Sequence, residues 1–156
     1  VSELNGSILN AMRGSVPEGM SLDIPSNSLK ELGLRFLTYK PGRALAGSMN
    51  ALERFANSMG RLQGGIIAAA LDATFGSLAL LYAKRPCVTI TLDIRYINPL
   101  PADDREFVIE ATLAAKTRGV IFMEGRVMDT EGVIIALAST TVTPFREKDR
   151  DRENRA

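Results

Sequence analysis

The stretch from Gly64 to Ala83, GGIIAAALDATFGSLALLYA, is the longest apolar run in this chain of 156 residues. Rich in Ala and Leu and free of proline, it reads as a helix that opens at Gly64-Gly65. Lys84 and Arg85 supply the positive charge that suits a helix end, and Pro86 stops it. A helix apolar all round belongs either in a protein core or in a bilayer. Asp72, near its middle, decides for the core. A carboxylate at that depth costs roughly 2.5–3.5 kcal/mol on membrane-insertion scales, and no aromatic belt flanks the run. No membrane span is expected.

Outward from this helix the pattern changes to strands. On its amino-terminal side Gly33 to Tyr39 and Arg43 to Asn50 read as two strands joined by the turn dipeptide Pro41-Gly42. On its carboxy-terminal side follow four more: Cys87 to Ile97, Glu106 to Ala115, Val120 to Met128 and Val133 to Thr143. In the first of these, Val88, Ile90, Leu92, Ile94 and Tyr96 alternate with Thr89, Thr91, Asp93 and Arg95, the period-two pattern of a sheet with one covered face. The intervening breaks are short enough for antiparallel neighbours. The expected class is α+β, an antiparallel sheet wrapped around one long central apolar helix.

The length fits one domain. Residues 33–145 carry the strands and the helix. Residues 1–32 read as an extension with a short helix around Ser7 to Arg13 followed by loop, because Gly14, Pro17, Gly19 and Pro25 punctuate it. Residues 146–156 hold five basic and four acidic side chains in alternation and read as a solvated tail.

Composition narrows function by exclusion. A net charge of +1, with 24% charged and 46% hydrophobic residues, marks neither a polyanion binder nor a disordered chain, so no nucleic-acid partner is expected. The lone Cys87 has no disulfide partner and sits among apolar neighbours, a buried thiol at a strand start. Glu3, Asn5, Asn10 and Arg13 interrupt any signal-like apolar run, and the expected compartment is cytoplasmic. There is no histidine at all. Within one chain, serine-histidine triads, cysteine-histidine pairs and histidine metal sites are therefore excluded, and proton transfer falls to a carboxylate, lysine, tyrosine or water.

Asp72 is the only charged residue from Leu62 through Ala83. It reads either as a buried carboxylate tied down structurally or as a partly desolvated catalytic base. The helix start at Gly64-Gly65 presents free backbone N–H groups and the positive end of the helix dipole, suited to a carbonyl oxygen gaining negative charge. Gly65 also lets a substrate approach the backbone closely. Asp72 lies seven residues further on, about 10 Å along the axis, too far to act on a carbonyl docked at its own helix terminus. Two chains paired about a twofold axis with antiparallel helices would bring Asp72 of one to Gly65 of the other, so a dimer with two shared sites is expected.

Asn57, Gly60, Leu62, Gly64, Gly65 and Asp72 resemble the motif of the PaaI-like hotdog acyl-CoA thioesterases, in which an Asn precedes His-Gly-Gly by six residues and an Asp follows on the helix. The segments Val88 to Pro99 and Asp129 to Ala136 are similar to that family's strands, and the resemblance covers roughly residues 33–145. It implies a hotdog fold, a homodimer or homotetramer, and hydrolysis of a small or medium acyl-CoA without metal or organic cofactor. By the same resemblance the Gly65 N–H polarises the thioester carbonyl beside Gly64. Asp72 of the partner chain serves as nucleophile or general base, Asn57 orients substrate or water, and Thr89 assists the attacking water. Lys116 and Arg118, near a strand turn, are implied as contacts for the phosphates of coenzyme A.

Gln63 departs from the pattern, standing where the family has histidine. It keeps hydrogen-bonding capacity but cannot change charge near neutral pH. With the carboxylate as base, activity is expected to survive. The alternative is a non-catalytic module that binds acyl-CoA or an acylated carrier, and an acyl dehydratase is disfavoured by the missing histidine. Phe55, Met59, Phe75 and Leu78 are the candidate lining of an apolar acyl pocket.

Overall fold

The computed structural model describes residues 2–145; the charged segment 146–156 lies outside the described residues. Two helices, α1 (Ser2–Arg13) and α2 (Asn27–Leu32), precede the hairpin β1 (Arg35–Lys40) and β2 (Ala44–Asn50). The long helix α3 (Gly64–Ala83) follows, and then β3 (Cys87–Tyr96), β4 (Glu106–Lys116), β5 (Ile121–Asp129) and β6 (Ile134–Pro144). The six strands form one antiparallel sheet in the order β1-β2-β4-β5-β6-β3, which leaves β1 and β3 as its edges.

The helix α3 lies across the sheet and packs against β2 through β6. Its inward face presents Ile67, Leu71, Phe75 and Leu78 to Leu45, Phe107, Ile109, Met123 and Val127 of the strands, all buried. Each such side chain contributes on the order of 1.5–3 kcal/mol by leaving water. The run of 20 residues is long and apolar enough to cross a bilayer, and here its inward face, 56% of its most apolar window, is buried in the fold. The buried hydroxyls of Thr74 and Ser77 donate to the carbonyls of Ala70 and Ala73, each at 2.8 Å, so the helix carries them without an unmet polar group.

Close approach of helix to sheet depends on Gly125 of β5. A Cβ there would stand 2.6 Å from Cζ of the fully buried Phe75 and 3.0 Å from the Glu110 carbonyl. Gly125→Ala is therefore expected to destabilise the fold by about 1–3 kcal/mol through overpacking, read as a lower urea midpoint at unchanged slope.

Two expectations are corrected. The first 32 residues hold more structure than a short helix and loop: α1 runs the full length from Ser2, and α2 stands where the sequence reads as loop. The six residues of α2 are too few to show periodicity. It is made by a local cap, Ser26 Oγ accepting from Leu29 N at 3.3 Å, and by tertiary burial of Leu29 and Leu32. Ile8 and Met12 of α1 enter the same hydrophobic core, and Asn5 Oδ1 accepts from Phe36 N at 2.8 Å.

The second correction concerns β3. Its pairing with β6 shifts register between Thr89 and Thr91, so strict alternation breaks there. Leu92 and Ile94 turn toward the core as expected, but Val88 and Ile90 are 51% and 55% exposed. The bulge puts Cys87 and Thr89 on the partly covered side in their place.

Candidate active site

On the outer side of α3, Gly65, Ala69 and Asp72 remain exposed in the single chain, so the helix is not buried all round. Asp72 is thus not desolvated by its own chain. Its Oδ1 accepts a hydrogen bond from Thr89 Oγ1 at 2.8 Å, a contact made possible by the β3 bulge. The two line a cavity of about 450 Å³, together with Gly76 and Leu80 of α3, Cys87 of β3, and Met12, Ile24 and Leu29 of the amino-terminal segment. Burial pushes the Cys87 thiol up to about 11, and the charge of Arg85 offsets this only in part. At pH 8 its alkylation by iodoacetamide should run roughly 100-fold slower than that of a free cysteine thiol, rising about tenfold per pH unit to near pH 10. A mass-spectrometric labelling time course checks this.

The helix start forms a second, separate cavity of about 310 Å³, lined among others by Asn57, Met59, Gly64, Tyr96 and Ile97. Among the described residues no protein acceptor engages the N–H of Gly64 or Gly65, and Gln63 places no side-chain cap on the helix. A Cβ added at Gly65 would meet nothing within 4 Å, so open space lies before it. Gly64 is different: a Cβ there would come within 3.1 Å of the Tyr96 ring, whose hydroxyl donates to the Gly64 carbonyl at 2.7 Å. Burial raises the Tyr96 phenol above its ordinary value, which keeps it a donor. Tyr96 holds the first turn of α3 in place.

Asn57 is committed to its own loop. Its Oδ1 accepts from the N–H of Met59 at 2.9 Å and of Arg61 at 3.1 Å, while its backbone N–H donates to the Arg61 carbonyl at 2.7 Å. Only its side-chain NH2 is left to offer a substrate. Gln63 is exposed, and its backbone carbonyl accepts from Ile66 N and Ile67 N to start the helix.

Lys116 and Arg118 lie together at the far end of α3, in a cavity of about 520 Å³ that Arg85 also lines. The Lys116 ammonium sits 5.4 Å from the centre of the Tyr82 ring. None of the three cations belongs to an ion pair among the described residues.

The apolar lining expected from sequence needs correction. Phe75 and Leu78 are fully buried in the core, outside the three cavities just described, and Phe55 is half-buried beneath Arg54, 4.9 Å from its ring centre. Met59 lines one of the three, that at the helix start, and is 78% exposed. Tyr96, Arg85 and the wall formed by Met12, Ile24 and Leu29 were missed. Only Arg85, next to Lys84 at a helix end, left a local sequence signal.

The family model of the thioesterase superfamily matches residues 59–136. No curated protein sequence matches significantly. Solved structures of the same fold include PaaI from the phenylacetic acid degradation operon of E. coli, 14% identical over 78% of this chain and 86% of that one, with a TM-score of 0.71. A mutant of the phenylacetic acid degradation protein PaaI from Thermus thermophilus is 22% identical over 77% and 100%, with a TM-score of 0.71. A phenylacetic acid degradation-related protein from Ralstonia eutropha is 24% identical over 87% and 98%, with a TM-score of 0.69. The matched span takes in all of α3, with Gly64, Gly65 and Asp72, and continues through β3, β4 and β5 into β6, and the sheet order and crossing helix are those of the hotdog fold shared with the PaaI structures. The chain is a member of the thioesterase superfamily.

Proposed function

We propose that the protein hydrolyses an acyl-CoA thioester to the free acid and CoA, as a homodimer or a tetramer built from such dimers, at sites shared between two subunits. The observation that carries this reading is the separation of chemistry along α3. A carboxylate held by a hydroxyl, Asp72 with Thr89, lies about 10 Å along the helix from the unpartnered amides of Gly64 and Gly65. Each half lacks what the other has. Antiparallel helices about a twofold axis unite Asp72 of one subunit with the Gly65 N–H of its partner.

The edge of the sheet supports pairing with a second copy. Among the described residues β3 has one neighbour, β6, and near its start Val88 and Ile90 stand exposed, while Thr91, Asp93 and Arg95 face outward along the rest. An unpaired edge strand is a template for another strand unless something covers it.

In the shared site the thioester carbonyl oxygen accepts from the Gly65 N–H. Asp72 takes a proton from water as the water oxygen bonds to the carbonyl carbon, and the oxyanion is held by the amide and the helix dipole. Collapse restores the C=O bond and breaks C–S, and the proton on Asp72 passes to the departing sulfur. One water is consumed, and one acid and one thiol are formed. Direct attack by the carboxylate would pass through an anhydride, and heavy-oxygen water found in Asp72 after turnover would identify that route. No step calls for a metal or an organic cofactor.

Lys116 and Arg118 are proposed as contacts for the CoA phosphates, joined by Arg85, because three cations that form no ion pair among the described residues and line one cavity suit a polyphosphate. The double variant Lys116→Ala, Arg118→Ala should raise KM for acyl-CoA about tenfold or more and leave an acyl-pantetheine thioester unaffected. The decisive assay is thiol release by the purified protein from a panel of acyl-CoAs. Release supports the hydrolase; acyl-CoA binding without release from any member would instead support the non-catalytic module.

A further inference from the structure

The cavity beside Asp72 is walled on one side by residues that precede the sheet. Leu22, Ile24 and Leu29 face it across from Gly76 and Leu80 of α3. The loop carrying this wall is pinned: Arg13 Nη2 donates to the Ile24 carbonyl at 2.7 Å, while its Nη1 holds Asn10 Oδ1 at 2.7 Å. The amino-terminal segment is therefore part of the chamber that contains the carboxylate.

The chemistry of the lining says what the chamber can take. It includes no Lys or Arg, and it holds two carboxylates, Asp72 and the exposed Asp23. Phosphate and other anions are therefore unwelcome there. Its serines are committed locally: Ser77 Oγ donates to the Ala73 carbonyl, and Ser26 Oγ accepts from Leu29 N and bonds Ser28 Oγ at 2.9 Å. What remains is aliphatic surface and a protonated thiol, Cys87.

Resting on hydrolysis at Asp72, we infer that this chamber receives the acyl group, that it selects uncharged aliphatic or aryl acyl chains over dicarboxylic ones, and that Ile24 and Gly76 set the length accepted. Gly76 gives a clean handle. A Cβ built there meets nothing within 4 Å, so a larger side chain would enter the cavity without displacing the core. Replacing a helix-interior glycine also favours the helix, by about 1 kcal/mol for alanine.

The test is a series of saturated acyl-CoAs from acetyl upward, with phenylacetyl-CoA and succinyl-CoA, assayed for thiol release with wild type, Gly76→Leu and Ile24→Ala. Gly76→Leu should lower kcat/KM for the longer and aryl substrates about 100-fold while acetyl-CoA changes by no more than a few-fold. Ile24→Ala should move the optimum to longer chains, and succinyl-CoA should be the poorest substrate of its length. An unchanged profile in both variants, or an equal loss for short and long acyl groups, would overturn the assignment while leaving the hydrolase intact. Release from none of the thioesters by wild type would instead remove the hydrolase reading and this inference with it.

Discussion

Asp72→Asn should lower thiol release from the preferred acyl-CoA by roughly 10²–10⁴-fold, the range that a positioned general base contributes. Asn retains an oxygen able to accept from Thr89 Oγ1, so the local hydrogen bond and the fold should persist. What it loses is basicity. Urea unfolding within experimental error of wild type, together with retained binding of a non-hydrolysable acyl-CoA analogue, would confine the effect to chemistry. Turnover by the Asn variant at near the wild-type rate would remove Asp72 from the mechanism.

Gly65→Pro is the second large effect expected. Residue 65 lies in the first turn of α3, where no intrahelical acceptor serves its N–H, so proline is accommodated there at little cost to the helix. It removes the proposed oxyanion donor, and kcat should fall roughly 10²–10³-fold. The two variants together test the shared site. Co-expression of Asp72→Asn with Gly65→Pro chains yields mixed dimers in which one site carries both defects and the other carries neither. Random pairing should then restore about a quarter of wild-type activity from two nearly inactive parents. Recovery of nothing, with mixed dimers demonstrated by mass spectrometry, would place Asp72 and Gly65 in the same subunit's site.

These experiments bear on residues that were visible from the outset. Asp72 stands out because it is the one charge in a long apolar run, and the paired glycines because they open the helix. The strands were legible too, since period-two alternation and turn residues report directly on which side of a chain is covered. The bulge in β3 was not. It changes which face Val88 and Thr89 present without altering the composition of the strand, and it depends on the pairing with β6, whose residues lie far along the sequence. Thr89 lies beside Asp72 only because of that shift.

The amino-terminal segment shows the same division. Pro25, Ser26 and the glycines around them mark a loop, but nothing local says that Ile24 and Leu29 close a chamber next to a carboxylate far along the chain. Phe75 and Leu78 show the converse. Their apolar character fits a pocket or a core equally well, and only their facing on α3 assigns them to the core.

Sequence by itself thus determined the α+β class, the central helix, the order of strands along the chain and the identity of the lone carboxylate, all properties encoded in local periodicity and composition. Tertiary structure alone decided the partners of that carboxylate, the gathering of Arg85 with Lys116 and Arg118, and the walls of the cavities. The physical reason is that these depend on the register and crossing of elements distant in sequence, where one bulge or one glycine contact redirects a side chain that no local pattern distinguishes.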